Sequence, residues 1–136
     1  MKIIQLLFTL LLLSGMDSSC QAQKEEQKAQ DVVQKATVEV YYFHYTRRCP
    51  TCLAVEEETK KAVAELYAGK VSFASFNLDE AEGQKKGEAV GVSGQTLLIV
   101  KGKDKIDLTN EGFLYAKTNP EELKKILSEK IDPLLK

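Results

Sequence analysis

Two thiols three residues apart, Cys49 and Cys52, enclose Pro50 and Thr51 at a point where the sequence changes character. Upstream, residues 38–46 are nearly continuous in Val, Tyr and Phe; downstream, Cys52, Val55, Thr59, Val63 and Leu66 recur at helical spacing. A strand feeding a helix through this turn puts both sulfurs at a helix N-terminus, where free N–H groups and the helix dipole favour an anion. The thiolate is the form of cysteine that attacks disulfides and binds soft metals, so redox exchange is the leading chemistry and metal binding its competitor. Arg47 and Arg48 directly precede the turn and add positive charge.

The elements that position these thiols follow from the flanking patterns. Residues 38–46, interrupted by Glu39 and His44, read as a strand covered on both faces. Pro50 suits the first turn of the following helix; Glu56 with Lys60 and Glu57 with Lys61 make i, i+4 pairs on its exposed side, and Gly69 ends it. Residues 71–78 form a second strand, 84–90 a short helix, 91–95 a loop and 96–100 a third strand. Residues 101–104 turn that strand back into a hairpin partner at 105–109, and 111–117 form a loop or a single turn. Asn119 caps a final helix with Pro120 first and Glu122 at the capping-box position; Leu123, Ile126, Leu127 and Ile131 line its buried face, and Pro133 marks its end. The order strand, helix, strand, helix, strand, strand, helix describes an α/β fold: a central mixed sheet flanked by helices, with a C-terminal β-hairpin and helix.

Composition bounds the remaining possibilities. The 136 residues carry 19 Lys and Arg against 20 Asp and Glu, a formal net charge of −1, with no basic run of the kind a nucleic-acid backbone requires. Residues 1–22 have the outline of a signal peptide: Lys2, an apolar run over 3–13 too short for a comfortable anchor, then small and polar residues. Two outcomes stand open. Cleavage after Ala22 removes Cys20, whereas lipoprotein-type processing acylates Cys20 and attaches the chain to a membrane. Residues 23–35, rich in Gln, Lys, Glu, Ala and Asp, then form a polar tether, and 36–136 the folded domain. The expected location is the bacterial periplasm or, lipid-anchored, the cell envelope. In such an oxidising compartment Cys49 and Cys52 are expected to form a disulfide, and so short a loop restrains the unfolded chain little. Stability is therefore a weak reason for the pair.

The element order, with CxxC at the end of the first central strand, resembles the thioredoxin superfamily over about residues 36–131. Besides Cys49-Pro50-Thr51-Cys52, the segment Gly91-Val92-Ser93-Gly94-Gln95-Thr96-Leu97-Leu98 is similar to the loop and strand that face a thioredoxin's active site, and Phe76-Asn77-Leu78-Asp79 to the preceding strand end. With the signal-peptide pattern of residues 1–22, the resemblance implies an exported thiol–disulfide oxidoreductase. In it Cys49 is the nucleophile, Cys52 the more buried resolving thiol, and Pro50 and Thr51 set the geometry between them. It implies protein thiols or disulfides as substrates, an unidentified redox partner, no cofactor, no resident metal and a monomer.

The sequence also departs from the family. Thioredoxins carry a cis proline beside the active site, where this chain has Gln95 or its neighbours. They carry a buried acid six residues before the first Cys and a Lys on the next strand, where this chain has Phe43 and Ser75. Proton transfer from Cys52 is then expected to use water or another group, His44 among them, and reductase activity to be slower or narrower. Tyr45 stands where thioredoxins place an aromatic beside the thiols, and Arg47 and Arg48 suit an acidic partner. Two further readings come from other classes: a copper or zinc module using Cys49, Cys52 and His44, and a thioredoxin-fold interaction module whose cysteines are incidental.

Overall fold

The computed structural model describes residues 37–136; the expected signal peptide and tether, with Cys20, lie outside the described residues. Strand β1 (Val38–His44) is central. It pairs in parallel with β2 (Val71–Asn77), from Val38 opposite Val71 to His44 opposite Asn77. On its other edge it pairs antiparallel with β3 (Thr96–Lys101), and β4 (Asp104–Asp107) closes the hairpin, giving the order β2-β1-β3-β4.

Because side chains alternate along a strand, β1 supplies two cores. Val38, Val40 and Tyr42 face helices α1 (Pro50–Tyr67), α3 (Thr109–Tyr115) and α4 (Pro120–Ile131), packing with Val55, Val63, Leu97, Ile99, Leu123, Leu127 and Ile131. Tyr41 and Phe43 face the opposite layer with Leu78, Leu98 and Val100, where Val90 closes α2 (Ala81–Val90). The expectation of a strand buried on both faces holds, and the strand ends at His44 rather than at residue 46.

Several boundaries differ from the sequence reading. Helix α2 starts at Ala81, three residues early, because the amide of Gln84 donates to the Glu80 carbonyl (2.9 Å) and Gly83 lies directly against β2. A Cβ at Gly83 would fall 1.9 Å from the Asn77 carbonyl oxygen, so this contact requires glycine. Residues 109–115 form a helix where a loop or a single turn is expected over 111–117: the side chain of Asp107 accepts from the Thr109 amide (2.8 Å), and Gly112 brings the helix close to Val55 and Leu97. The hairpin strand is correspondingly shorter. Helix α1 ends one residue before its expected stop, with Ala68 rather than Gly69 at the left-handed cap, φ 42°. Leu66 is exposed, and Ala62 and Tyr67 take its place in the core. At α4, Asn119 caps as its sequence predicts, its side-chain oxygen accepting from the Glu122 amide.

Candidate active site

Cys49 is the N-cap of α1. Its backbone is extended, Pro50 opens the helix, and its sulfur accepts from the Cys52 amide at 3.1 Å. One otherwise unpaired N–H of the first turn therefore points at this sulfur, and no acidic residue in that turn competes with an anion there. Cys49 and Cys52 are joined by a disulfide, with Cα atoms 5.1 Å apart. Cys49 and Pro50 are exposed, Thr51 is half-buried, and Cys52 is only 4% exposed. The disulfide thus joins an exposed cysteine to a buried one, the asymmetry that stepwise exchange needs.

The loop between β1 and the cysteines is held from two sides. The Thr46 amide donates to Asp79 (2.7 Å), and the Asn77 side-chain amide donates to the Thr46 hydroxyl (2.9 Å), tying the turn to the end of β2. The Tyr45 hydroxyl reaches the Ser93 carbonyl (3.4 Å), so the segment before the cysteines is bridged to the loop before β3. Gln95 stands in that loop, half-buried, and every peptide bond of the described residues is trans, that before Gln95 included.

The two arginines diverge. Arg47 is exposed and makes no ion pair among the described residues. Arg48 folds back over the Tyr42 ring, 5.8 Å from its centroid, and pairs with Glu56. Glu56 therefore does not pair with Lys60 as expected, nor Glu57 with Lys61, among the described residues. Burial pushes the Glu56 carboxyl up, but the Ser75 hydroxyl, Arg48 and His44 outweigh it and hold it below the ordinary glutamate range. Ser75 Oγ has no partner in hydrogen-bond geometry, so it acts on Glu56 as a nearby dipole.

His44 ends β1 on the same face as Tyr42, their ring centroids 5.9 Å apart. Its Nδ1–H donates to the Tyr45 carbonyl (3.0 Å).

The comparison of Phe43 with the family's buried acid needs correction. A group that serves Cys52 must lie on the α1 face of the sheet; Phe43 is on the other face, fully buried and stacked on Phe76 with centroids 5.4 Å apart. The position opposite Ser75 in the strand register is Tyr42, also fully buried, its hydroxyl without a hydrogen-bond partner. Tyr42, Ser75 and Glu56 were not singled out by sequence as site residues. The signal was nevertheless present for Glu56, which follows Cys52 by four and so shares its helical face.

A central β1 flanked by parallel β2 and antiparallel β3, with an edge strand β4, helices on both faces and CxxC opening the first helix, is a thioredoxin-like fold. Among solved structures the chain is similar to thioredoxin O2 from Arabidopsis thaliana in its oxidised state: TM-score 0.51, 19% identity, 76% of this chain and 87% of that one. It is also similar to Trxlp from Edwardsiella tarda EIB202: TM-score 0.52, 18% identity, 74% of this chain and 91% of the other. No protein-family profile and no curated protein sequence matches it.

Proposed function

We propose that this protein is an exported thiol–disulfide oxidoreductase that exchanges disulfides with protein cysteines through Cys49 and Cys52. The observation that carries the reading is the asymmetric pair at the start of α1: an exposed Cys49 whose sulfur receives a helix N–H, bonded to a buried Cys52. Export rests on the pattern of residues 1–22.

In the reducing direction the Cys49 thiolate attacks one sulfur of a substrate disulfide. The Cys49–substrate bond forms as the substrate's S–S bond breaks, and a substrate thiolate leaves. Cys52 then gives up its proton and attacks Cys49 Sγ, so that the intramolecular disulfide forms and the second substrate thiolate departs. Two electrons pass to the substrate; oxidation runs the same steps in reverse, and partner potentials decide the direction. The helix N-terminus stabilises the Cys49 thiolate as attacking and as leaving group, and burial keeps Cys52 from external disulfides while Cys49 stays within its reach.

The test is the reduction potential of the pair in the purified protein, equilibrated against glutathione, with the Cys49 thiol titrated in the same sample. The expected result is a reversible couple between about −270 and −120 mV and a Cys49 pKa below that of a free thiol, about 8.5. Cys52→Ser should accumulate substrates as mixed disulfides on Cys49. A pair that resists glutathione, with a Cys49 that titrates like a free thiol, would overturn the reading. Stoichiometric copper or zinc on the reduced protein would favour the metal module instead.

A further inference from the structure

Flanking the cysteine turn in sequence, from Arg48 just before it to Glu56 one helical turn beyond it, is a polar cluster that the exchange steps leave without a role. Arg48, adjacent in sequence to Cys49, has its side chain only 18% exposed, lies over Tyr42 and pairs with Glu56, whose side chain is 25% exposed. Buried polar atoms without hydrogen-bond partners surround the pair: Tyr42 OH from β1, Ser75 Oγ from β2 and Nε of Arg48 itself. His44 faces it from the end of β1. Glu56 sits one helical turn after Cys52, and because helical side chains lean toward the N-terminus, its carboxylate is carried back toward the cysteine turn.

We infer that Glu56 is a positioning residue for Arg48: it holds the guanidinium against α1 and offsets its charge, so that Cys49 feels one free arginine, Arg47, rather than two. This rests on the exchange reading of Cys49 and Cys52. A carboxylate held low by its neighbours takes up no proton near neutral pH, so Glu56 acts as a fixed charge and not as the acceptor of the Cys52 proton. An unopposed cation beside a thiolate stabilises it, which favours the reduced pair and makes the couple more oxidising. By masking Arg48, Glu56 keeps the couple more reducing than the Arg-Arg sequence alone would make it.

The experiment compares wild type, Glu56→Gln, Arg48→Gln and the double variant by glutathione equilibrium and Cys49 titration, with circular dichroism confirming the fold. Glu56→Gln is expected to raise the acidity of Cys49 and shift the equilibrium toward the reduced pair by roughly three- to tenfold, about 15–30 mV more oxidising. Arg48→Gln should shift both in the opposite sense, and the double variant should return to within about twofold of wild type, because opposite charges are removed together. Shifts of the same sign in both single variants, or no shift in Glu56→Gln, would overturn the inference. Should Glu56→Gln fail to fold, the double variant must still be more oxidising than Arg48→Gln. A wild-type pair that does not equilibrate with glutathione would defeat the exchange reading instead, and the Cys49 titrations across the variants would still decide the role of Glu56.

Discussion

Placing a carboxylate at residue 43, where alignment with thioredoxins puts their buried acid, should unfold this protein and not restore a proton relay. Phe43 is fully buried, stacked on Phe76 and edge-on to Tyr41 at 6.2 Å, in a cluster with Leu78, Leu98 and Val100. Removing a buried phenylalanine ring costs about 3–5 kcal/mol. An unpaired carboxylate in the same apolar site adds at least about 2 kcal/mol, even after its pKa rises to keep it protonated. The sum, roughly 5–7 kcal/mol, is comparable to the whole stability of a domain this size, about 5–15 kcal/mol. In a urea titration followed by far-UV circular dichroism, Phe43→Asp is expected to show little or no folded baseline at neutral pH and to regain structure on acidification. The sign follows from burial: the raised carboxyl pKa in the folded state makes the penalty largest at high pH and relieves it as pH falls. Phe43→Leu should cost only about 1 kcal/mol. Tyr42→Asp, one residue earlier, loses a comparable ring but sets its carboxylate on the Arg48 face, and should be roughly 2 kcal/mol less damaging than Phe43→Asp. A folded Phe43→Asp within about 2 kcal/mol of wild type would refute the assignment of faces along β1.

Other consequences can be measured on the same footing. Thr59 is fully buried in α1 with its hydroxyl unpartnered, so Thr59→Val should stabilise the domain by about 1–2 kcal/mol in urea midpoint analysis. Ala68 closes α1 at φ 42°, a conformation that a side chain resists; Ala68→Gly should gain about 0.5–1 kcal/mol, read as a rise in thermal midpoint. The Glu56 carboxyl, raised by burial but lowered further by Ser75, Arg48 and His44, has a folded pKa below its unfolded value. It therefore contributes stability above the ordinary glutamate pKa, about 4.3, and loses it as pH falls through the lower folded value. Glu56→Gln should accordingly be less stable than wild type at pH 7, and the difference should shrink in unfolding titrations carried out below about pH 4.

Local pattern carried most of the element assignments. Proline at the first helical position and an asparagine cap marked α4, and the Cys-Pro-Thr-Cys turn marked the start of α1, because these signals act within a few residues of where they stand. Boundaries set by tertiary contact were missed. Helix α2 begins early where Gly83 meets the Asn77 carbonyl, and residues 109–115 coil because Gly112 can approach Val55 and Leu97. Val55 lies far from Gly112 in sequence, so no local periodicity records that contact.

The chemistry divides along the same line. The order of residues was enough to show where the two thiols stand on their helix: both at the start of α1, the first ahead of the helical turn and the second inside it. What surrounds them was set by packing between elements distant in sequence. It turned Phe43 away from the dithiol and Tyr42 toward the face of α1, drew Arg48 onto Glu56 while leaving Arg47 in solvent, and tied the cysteine turn to Asp79 and Ser93. The physical reason is that the face a strand residue takes depends on register and on the layers packed against it, and a charge's effect depends on its distance from partners remote in sequence.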